Sequence, residues 1–367
     1  MEDNEHNIPQ HENPLQRDLS QEGLAQQGLP QEATNEVTPP PIPVESQFRS
    51  RIDLTPIRAK IDLIMQECSK IIIGQTELIE LMVTCIIADG HILLEGVPGI
   101  AKTLSAKVVA KTIDTEFSRI QFTPDLMPAD IIGTSIFNMN TSEFVFKKGP
   151  IFSNMVLIDE INRAPAKTQS ALFEVMEEKQ ISFDGTTYPM TKPFIVIATQ
   201  NPIEQEGTYR LPEAQLDRFL MKINLSYPSI TEELEIINRF KNKPGRPDLN
   251  SVQAILDAAA ISEIQETLEN IHIERQMLEY ITQIIHETRN HAKVYLGASP
   301  RASLALLSTA KVTAVMAGRD FIIPDDIQFV APHVLNHRMI LTPDAEMEGV
   351  TSFIVISDII KTLEVPR

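Results

Sequence analysis

The sequence predicts an α/β core built on a parallel sheet, followed by a domain made of helices alone. Two observations support this prediction. Short apolar segments typical of buried strands alternate with helical segments up to residue 228, and such alternation indicates a parallel sheet covered by helices on both faces. From Ser229 onward, apolar residues recur at helical spacing throughout. We therefore expect an α/β domain over residues 50–228 and an all-α domain over residues 229–367.

Two helices open the expected core, and four strands follow them. The segment TPIRAKIDLIMQECSKII has Thr55 as its cap and Pro56 at its first position, and TELIELMVTCIIADG stops at Gly90. The strands are, in order, HILLEG, FSRIQF, MVLIDE and PFIVIATQ. A helix, KTLSAKVVAKTI, lies between the first two strands, and another, AKTQSALFEVMEEKQ, lies between the last two.

Two predicted hairpins interrupt this alternation. The segment over 135–149, SIFNMNTSEFVFKKG, has apolar residues on both sides of the turn NMNTS. The segment over 181–190, ISFDGTTYPM, turns at Asp184–Gly185, a pair that is typical of tight hairpin turns. In the second domain, helices are expected over residues 231–241, 252–269, 274–290, 300–317, 325–335 and 351–363.

The N-terminal residues have a different composition. Residues 1–45 are rich in Gln, Glu, Asn and Pro, which predicts a disordered tail, either solvated or acting as an interaction arm. The first residues lack the features of a secretory signal, and Glu80 and Asp89 break the most apolar run well short of a membrane span. We expect a cytoplasmic protein whose Cys68 and Cys85 are reduced, buried thiols.

The charge balance is strongly acidic. The net charge is −18, and residues 1–45 carry nine acidic residues and one basic residue, so −10 remains for the rest of the chain. Proteins that bind the phosphate backbone of nucleic acids without sequence preference concentrate Lys and Arg on one face. The composition therefore disfavours a nucleic-acid partner.

A near match to a phosphate-binding loop follows the first strand. In GVPGIAKT, Gly96, Gly99, Lys102 and Thr103 stand at the positions of the usual pattern, but Ala101 replaces its second glycine. The glycines let backbone N–H groups turn toward phosphate oxygens, the lysine reaches the terminal phosphates, and the threonine binds Mg²⁺. The alanine fits if its backbone is near-helical, as we expect one residue before the helix.

Two carboxylates end the strand MVLIDE, at the edge of the sheet where the phosphate loop also lies. Asp159 is the candidate for holding Mg²⁺ through water, and Glu160 is the candidate for polarising the attacking water. Acidic residues at a strand end also serve as helix caps, but the phosphate loop upstream favours the catalytic interpretation.

Three further polar residues are candidates for contact with a nucleotide. Asn201 follows the strand PFIVIATQ and is close enough to orient a water, although it is also a common turn residue before proline. Arg218 follows a short helix, either in a surface ion pair or offered to a neighbour's γ-phosphate. Arg301 lies in the first turn of a helix with Ser299 as cap and Pro300 at its first position, where a cation opposes the helix dipole. An anion, either phosphate or a nearby carboxylate, is expected to hold it.

Five segments, GVPGIAKT, LIDEINRAP, ATQNP, EGTYRLPEAQLDRF and SPRA, resemble the MoxR family of AAA+ ATPases in order and spacing, over roughly residues 50–367. The resemblance implies an AAA+ core with a helical lid, and a phosphate loop that works with Ala101. It also implies that Asn201 is sensor 1, Arg218 the arginine finger and Arg301 sensor 2, and that IIGQ at 72–75 packs on the adenine. The hairpins match the helix-2 insert and the pre-sensor-1 hairpin of that clade.

The candidate site combines these residues. The catalytic candidates are Lys102, Glu160, Asn201, Arg218 and Arg301, and the metal candidates are Thr103 and Asp159. The candidates for contact with ATP or ADP are Ile73, Gly74, Gln75, Gly96, Val97, Pro98, Gly99, Ile100, Ala101, Lys102, Thr103 and Leu104. One departure from the family is Arg210, which replaces a proline and is interpreted as exposed, with a contact to a neighbouring subunit as the alternative. Arg163 is a further candidate for such a contact.

The resemblance implies a Mg²⁺-dependent ATPase that assembles into a ring, usually a hexamer. It also implies a chaperone-like role with partners that carry von Willebrand factor A domains, into which a metal or cofactor is often inserted. A nucleic-acid motor is the alternative, because replicative helicases have the same two hairpins. Against it, the tip FDGTTYP has no basic residue, and the other hairpin has only Lys147 and Lys148, at its base. A slow nucleotide-gated scaffold is a third interpretation.

Overall fold

The structure is a computed structural model that describes residues 52–140, 142–202, 208–241 and 247–366. The tail predicted over residues 1–45 lies outside the described residues. No helix among the described residues is long and apolar enough to cross a membrane. Cys68 and Cys85 are buried free thiols, as predicted, and burial raises the pKa of Cys68 to about 12.

A parallel sheet of five strands forms the core, in the order β10-β1-β9-β6-β3. Four of the strands were predicted, and they are β1 (His91–Glu95), β3 (Phe117–Gln121), β6 (Met155–Asp159) and β9 (Ile195–Gln200). The fifth, β10 (Phe219–Asn224), was missed, since the sequence suggested only a turn there. Its buried residues alternate with Leu220, Lys222 and Asn224, a pattern that suits an edge strand rather than a strand buried on both faces.

Helices cover both faces of the sheet. They are α1 (Thr55–Ser69), α2 (Thr76–Ile87), α3 (Lys102–Lys111), α4 (Pro128–Ile132), α5 (Ala166–Glu178) and α6 (Glu213–Leu216), with a 3-10 turn over Ile161–Arg163. Thr55, predicted as a cap, is instead the first residue of α1, and its N–H donates to Asp53 Oδ1 at 3.0 Å. The helices and the sheet place one buried apolar cluster on each side of the strands, so the sheet edges that carry the loops are held rigidly.

Both predicted hairpins are present. The first consists of β4 (Gly133–Asn138) and β5 (Glu143–Lys148), and the second of β7 (Gln180–Phe183) and β8 (Thr186–Pro189). Aromatic rings join them, because Phe146 stacks on Phe183 at 4.7 Å and on Tyr188 at 4.8 Å between ring centroids. The two hairpins therefore form one packed unit.

The region after residue 229 is mainly helical, as predicted, but it is not made of helices alone. Its helices are α7 (Ile230–Phe240), α8 (Ala258–Glu269), α9 (Arg275–Asn290), α10 (Pro300–Met316), α11 (Pro324–Leu335), α12 (Pro343–Met347) and α13 (Ser352–Thr362). It also holds a 3-10 turn over Leu249–Ser251 and short strands. The strand β11 (Leu256–Asp257) pairs with β2 (Ile113–Asp114), and β12 (Val294–Leu296) pairs with β13 (Ile340–Leu341).

The predicted start of one helix was wrong. The helix expected over 252–269 begins only at Ala258, because the preceding residues pair with the core through β11. Asp257 ends that pairing and caps α8, since its side chain accepts from the N–H of Ala260 at 2.7 Å. The apolar residues before Ala258 have a spacing that fits a helix, but the segment that contains them is extended.

Candidate active site

The predicted residues of the phosphate loop and of the strand ends meet in one cavity. It has a volume of about 410 Å³ and lies at the carboxyl ends of β1, β3, β6 and β9. Parallel strands place their loops at this edge, where such sheets bind ligands. The lining residues are Pro98, Gly99, Ala101, Lys102, Thr103, Leu104, Arg119, Gln121, Asp159, Glu160, Thr199, Gln200 and Asn201.

The phosphate loop runs from the end of β1 to the start of α3. Gly99 has a φ of +87°, in the left-handed region that glycine adopts without strain. A Cβ at Gly96 would lie 2.4 Å from Ile100 Cδ1 and 3.0 Å from the carbonyl oxygen of Leu225, so a side chain there would require its neighbours to shift. Val97 and Ile100 complete the loop, and Ile100 is buried.

Ala101 does not have the near-helical backbone that the sequence suggested. Its φ and ψ are 65° and 19°, the left-handed conformation. The chain turns sharply between Gly99 and α3, and this turn is the reason that the usual pattern has a glycine at this position. The alanine is therefore accommodated with backbone strain of about 1–2 kcal/mol rather than in a relaxed geometry.

Lys102 is folded back over the loop. Its ammonium group donates to the carbonyl oxygens of Gly96 and, at 3.0 Å, of Gln200. It begins α3, whose first residues line the cavity, and the N-terminus of a helix favours an anion. The cation is thus held at the mouth of the phosphate loop.

Asp159 is almost fully buried at the end of β6 and is heavily hydrogen-bonded. Its Oδ1 accepts from the hydroxyl groups of Thr103 at 2.8 Å and Thr199 at 3.3 Å. Its Oδ2 accepts from Arg119 Nε at 2.6 Å. The structure therefore brings together Thr103 and Asp159, the two residues predicted to bind a metal.

Glu160 lies beside Asp159 in an unusual conformation. Its φ is 58°, and its N–H donates to the Thr199 hydroxyl at 3.0 Å, which turns its side chain into the cavity. The carboxylate accepts from Gln121 Nε2 at 3.0 Å and is paired with Arg163 Nε at 2.9 Å. Arg163, a candidate for contact with a neighbour, here contacts a residue of its own chain.

Sequence reasoning missed Arg119 and Gln121. They lie two residues apart on β3, so both side chains are on the same face of the sheet. Two polar residues at alternate positions of the predicted strand FSRIQF were the available signal. Their significance depends on β3 pairing with β6, which places Gln121 directly opposite Asp159.

The segment predicted to contact the adenine lies next to the phosphate loop. Gln75 Nε2 donates to the carbonyl oxygen of Ile100 at 3.2 Å, and the Ser105 hydroxyl donates to Gln75 Oε1 at 3.4 Å. Ile73 is buried, while Gly74 and Gln75 line a second cavity of about 280 Å³. The structure thus ties this segment to the loop without placing it in the same cavity.

Arg218 and Arg301 are not among the described residues that line the phosphate cavity. Both contact the carboxylate of Glu177 in α5, at 3.8 Å from Arg218 Nη1 and 2.7 Å from Arg301 Nη2. Arg218 also donates to the carbonyl oxygen of Phe173. For Arg301, the nearby carboxylate is thus the anion that the structure shows.

Two other sequence predictions concern the neighbourhood of these arginines. Ser299 precedes α10 as predicted, but the structure gives no hydrogen bond to its buried hydroxyl from the described residues, so it does not cap the helix through its side chain. Arg210 is exposed, in agreement with the preferred interpretation.

Comparisons with known proteins match this architecture. Residues 91–221 match the ATPase family associated with various cellular activities (AAA), and residues 286–359 match the AAA lid domain. The chain is 46% identical to the chaperone MoxR1 of Mycobacterium tuberculosis over 310 residues, which are 82% of this chain and 81% of that protein. It is 43% identical to YeaC of Bacillus subtilis over 315 residues, 86% of this chain and 96% of that protein.

A solved structure agrees with these relatives. The crystal structure of a protein from Cytophaga hutchinsonii is 44% identical, covers 86% of this chain and 97% of its own, and superposes with a TM-score of 0.78. With a phosphate loop, a strand ending in two carboxylates and a helical lid in one fold, the chain belongs to the MoxR family of AAA+ ATPases.

Proposed function

We propose that this ATPase uses Mg²⁺ in the cavity described above, works as a ring of subunits and remodels protein partners. The observation that supports the chemistry is the convergence of Lys102, Thr103, Asp159 and Glu160 on one cavity. The side chains that activate a nucleotide and its water in such ATPases are a lysine, a hydroxyl, and two carboxylates at a strand end. These are the side chains that converge here.

The donor set fits Mg²⁺. Thr103 and Asp159 supply a hydroxyl and a carboxylate oxygen, 2.8 Å apart, and both are hard oxygen ligands of the kind that this ion prefers. The site has few protein oxygens, as expected for an ion that also keeps waters and binds phosphates. When bound, Mg²⁺ neutralises charge on the phosphate oxygens.

The residues of the chain then divide the remaining work. Lys102 exchanges its two carbonyl acceptors for phosphate oxygens, and the N–H groups at the start of α3 hold the same phosphates. Glu160 orients a water and accepts its proton while the water oxygen bonds to the γ-phosphorus and the bond to ADP breaks. Asn201, which is buried at the end of the next strand and lines the same cavity, is proposed to hold the same water.

Assembly into a ring, of six subunits by resemblance, would complete the site. Arg218 and Arg301 belong to different parts of the chain, yet both contact Glu177 and neither lines the phosphate cavity with the other described residues. Arg218, which lies outside its own cavity, is suited to a neighbour's γ-phosphate as an arginine finger, and this proposed role requires a second subunit. Arg301 is proposed as sensor 2, which contacts the nucleotide phosphates.

The packed hairpins are the proposed contact with protein clients. The first hairpin exposes apolar side chains, which are Ile136, Phe137, Met139, Phe144 and Val145. An exposed apolar patch of this kind suits a protein surface, whereas a nucleic acid would require cations. The tip of the second hairpin carries Asp184 and no basic residue. The name of the relative MoxR1, a chaperone, supports protein clients, for which we propose von Willebrand factor A domains.

Glu160→Gln tests the chemistry. The variant should bind ATP with unchanged affinity and lose turnover, because Lys102, Thr103 and Asp159 are intact while the water loses its proton acceptor. Binding is measured with a fluorescent nucleotide and turnover by phosphate release, with Glu263→Gln on the exposed face of α8 as the matched control. Turnover of Glu160→Gln at the wild-type rate would contradict the assignment.

A further inference from the structure

Asp159 already has a cationic partner in the structure. The guanidinium of Arg119 donates through Nε to Asp159 Oδ2 at 2.6 Å, while the two threonine hydroxyls occupy Oδ1. The carboxylate is only 4% exposed, and a carboxylate buried to this extent is stabilised by a paired charge. Arg119 thus neutralises the aspartate that the proposed metal would bind.

Strand β3 holds both carboxylates of the site. Arg119 and Gln121 share one face of β3, and Gln121 donates to Glu160 at 3.0 Å. Arg119 Nη2 also donates to Gln121 Oε1 at 3.2 Å. These contacts form one connected hydrogen-bond network from Asp159 through Arg119 and Gln121 to Glu160.

A dication and a guanidinium repel each other at the same carboxylate. Two like charges within a few ångströms interact unfavourably, and the interaction is stronger in a cavity than in bulk water. Arg119 has room to leave, because its side chain is 45% exposed and lines the same cavity as Lys102 and Thr103. Metal binding at Asp159 must therefore displace Arg119 or proceed against its charge.

We propose that Arg119 is an internal counter-ion that takes the place of the metal at Asp159 and sets the Mg²⁺ concentration that nucleotide binding requires. It is a positioning residue, since it acts through Asp159. The inference rests on the proposed magnesium site. Its consequence is that loss of the Arg119 charge makes the metal bind more tightly, although the contact itself looks stabilising.

The test is a Mg²⁺ titration of nucleotide binding. Binding of a fluorescent ADP derivative to the full chain is followed as Mg²⁺ is raised from a chelated solution, so that no turnover is involved. Arg119→Gln removes the charge and should lower the half-saturating Mg²⁺ concentration about tenfold, the scale of one lost charged hydrogen bond. Arg119→Lys keeps the charge and should stay within about threefold of the wild type.

A matched control separates this effect from the loss of any ion pair. Arg319 forms a bidentate pair with the buried Asp326, at 2.5 and 2.8 Å, away from the phosphate cavity. Arg319→Gln should lower the melting temperature without moving the half-saturating Mg²⁺ concentration. Arg119→Met, which keeps the apolar stem, is a second neutral variant if Arg119→Gln does not fold.

The outcomes distinguish this inference from the proposed function. If nucleotide binding by the wild type does not depend on Mg²⁺, the proposed magnesium site is wrong. If the wild type depends on Mg²⁺ and neutral variants of Arg119 require the same concentration or more, the site stands and the counter-ion role is wrong. A lower requirement in the neutral variants alone supports the counter-ion role.

Discussion

Replacing Ala101 with glycine should stabilise the protein. Ala101 has a φ of 65° and a ψ of 19°, a conformation that costs a residue with a side chain about 1–2 kcal/mol. Glycine adopts it without steric cost, but its greater conformational entropy stabilises the unfolded chain by about 0.5–1 kcal/mol. The difference predicts a rise of about 0–1.5 kcal/mol in the free energy of unfolding, centred on about 0.8 kcal/mol.

Denaturant unfolding of the nucleotide-free chain measures this change, and Ala259→Gly is the matched control. Ala259 is exposed in the first turns of α8, where the backbone is helical and glycine should cost up to about 1 kcal/mol. The two substitutions remove the same methyl group, so they should have opposite signs. A loss of stability in Ala101→Gly as large as that in Ala259→Gly would refute the argument from strain.

Three other predictions concern assembly, partners and pH. Arg218→Ala should keep nucleotide binding and lower kcat by about 10³. Mixing it with Glu160→Gln subunits should restore some phosphate release, and a rate that falls strictly linearly with the mutant fraction would contradict action on a neighbour. Met139→Ser should abolish stimulation of the ATPase by a purified von Willebrand factor A domain and spare the basal rate. The control Met347→Ser, at a comparably exposed residue outside the hairpins, should keep the stimulation. Stimulation by DNA at physiological salt would instead favour the nucleic-acid motor. Burial lowers the pKa of His91 to about 4, so as the pH falls the unfolded chain takes up a proton there before the folded chain does. The free energy of unfolding should therefore fall by up to about 3 kcal/mol from pH 6.5 to 4. A His91→Gln variant with the same pH slope in urea unfolding would exclude His91 as the cause.

The parts of the site that depend on short segments could be predicted from the sequence. The phosphate loop, the strand ending in Asp159 and the turn at Asp184–Gly185 each need only neighbouring residues, so residue type and spacing suffice. The identity of the fold followed from their order along the chain. These predictions agree with the structure and with the relatives.

The remaining parts depend on which segments become neighbours in space. Arg119 contacts Asp159 only because β3 pairs with β6, although the two strands are far apart in the sequence. Glu177 contacts Arg301 across a much longer separation, 124 residues along the chain. The edge strand β10 and the left-handed Ala101 were missed for different reasons. The alternating apolar and polar residues of β10 are also compatible with other local structures. The small side chain of Ala101 is likewise compatible with several backbone conformations.

The charges of the site share one property that bears on how it binds its ligands. Each charge proposed to act on the nucleotide is paired within the chain. Lys102 donates to two carbonyl oxygens, and the ion pairs are Arg119 with Asp159, Arg163 with Glu160, and Arg218 and Arg301 with Glu177. If the proposed function is correct, nucleotide and metal exchange this set of partners for another. The free energy of binding is the difference between the two sets, which is small compared with either. In the proposed cycle, internal pairing keeps these charges, of which Asp159 is buried, from being left unpaired when the ligand leaves. It would thus make release after hydrolysis compatible with the many contacts that the bound state requires.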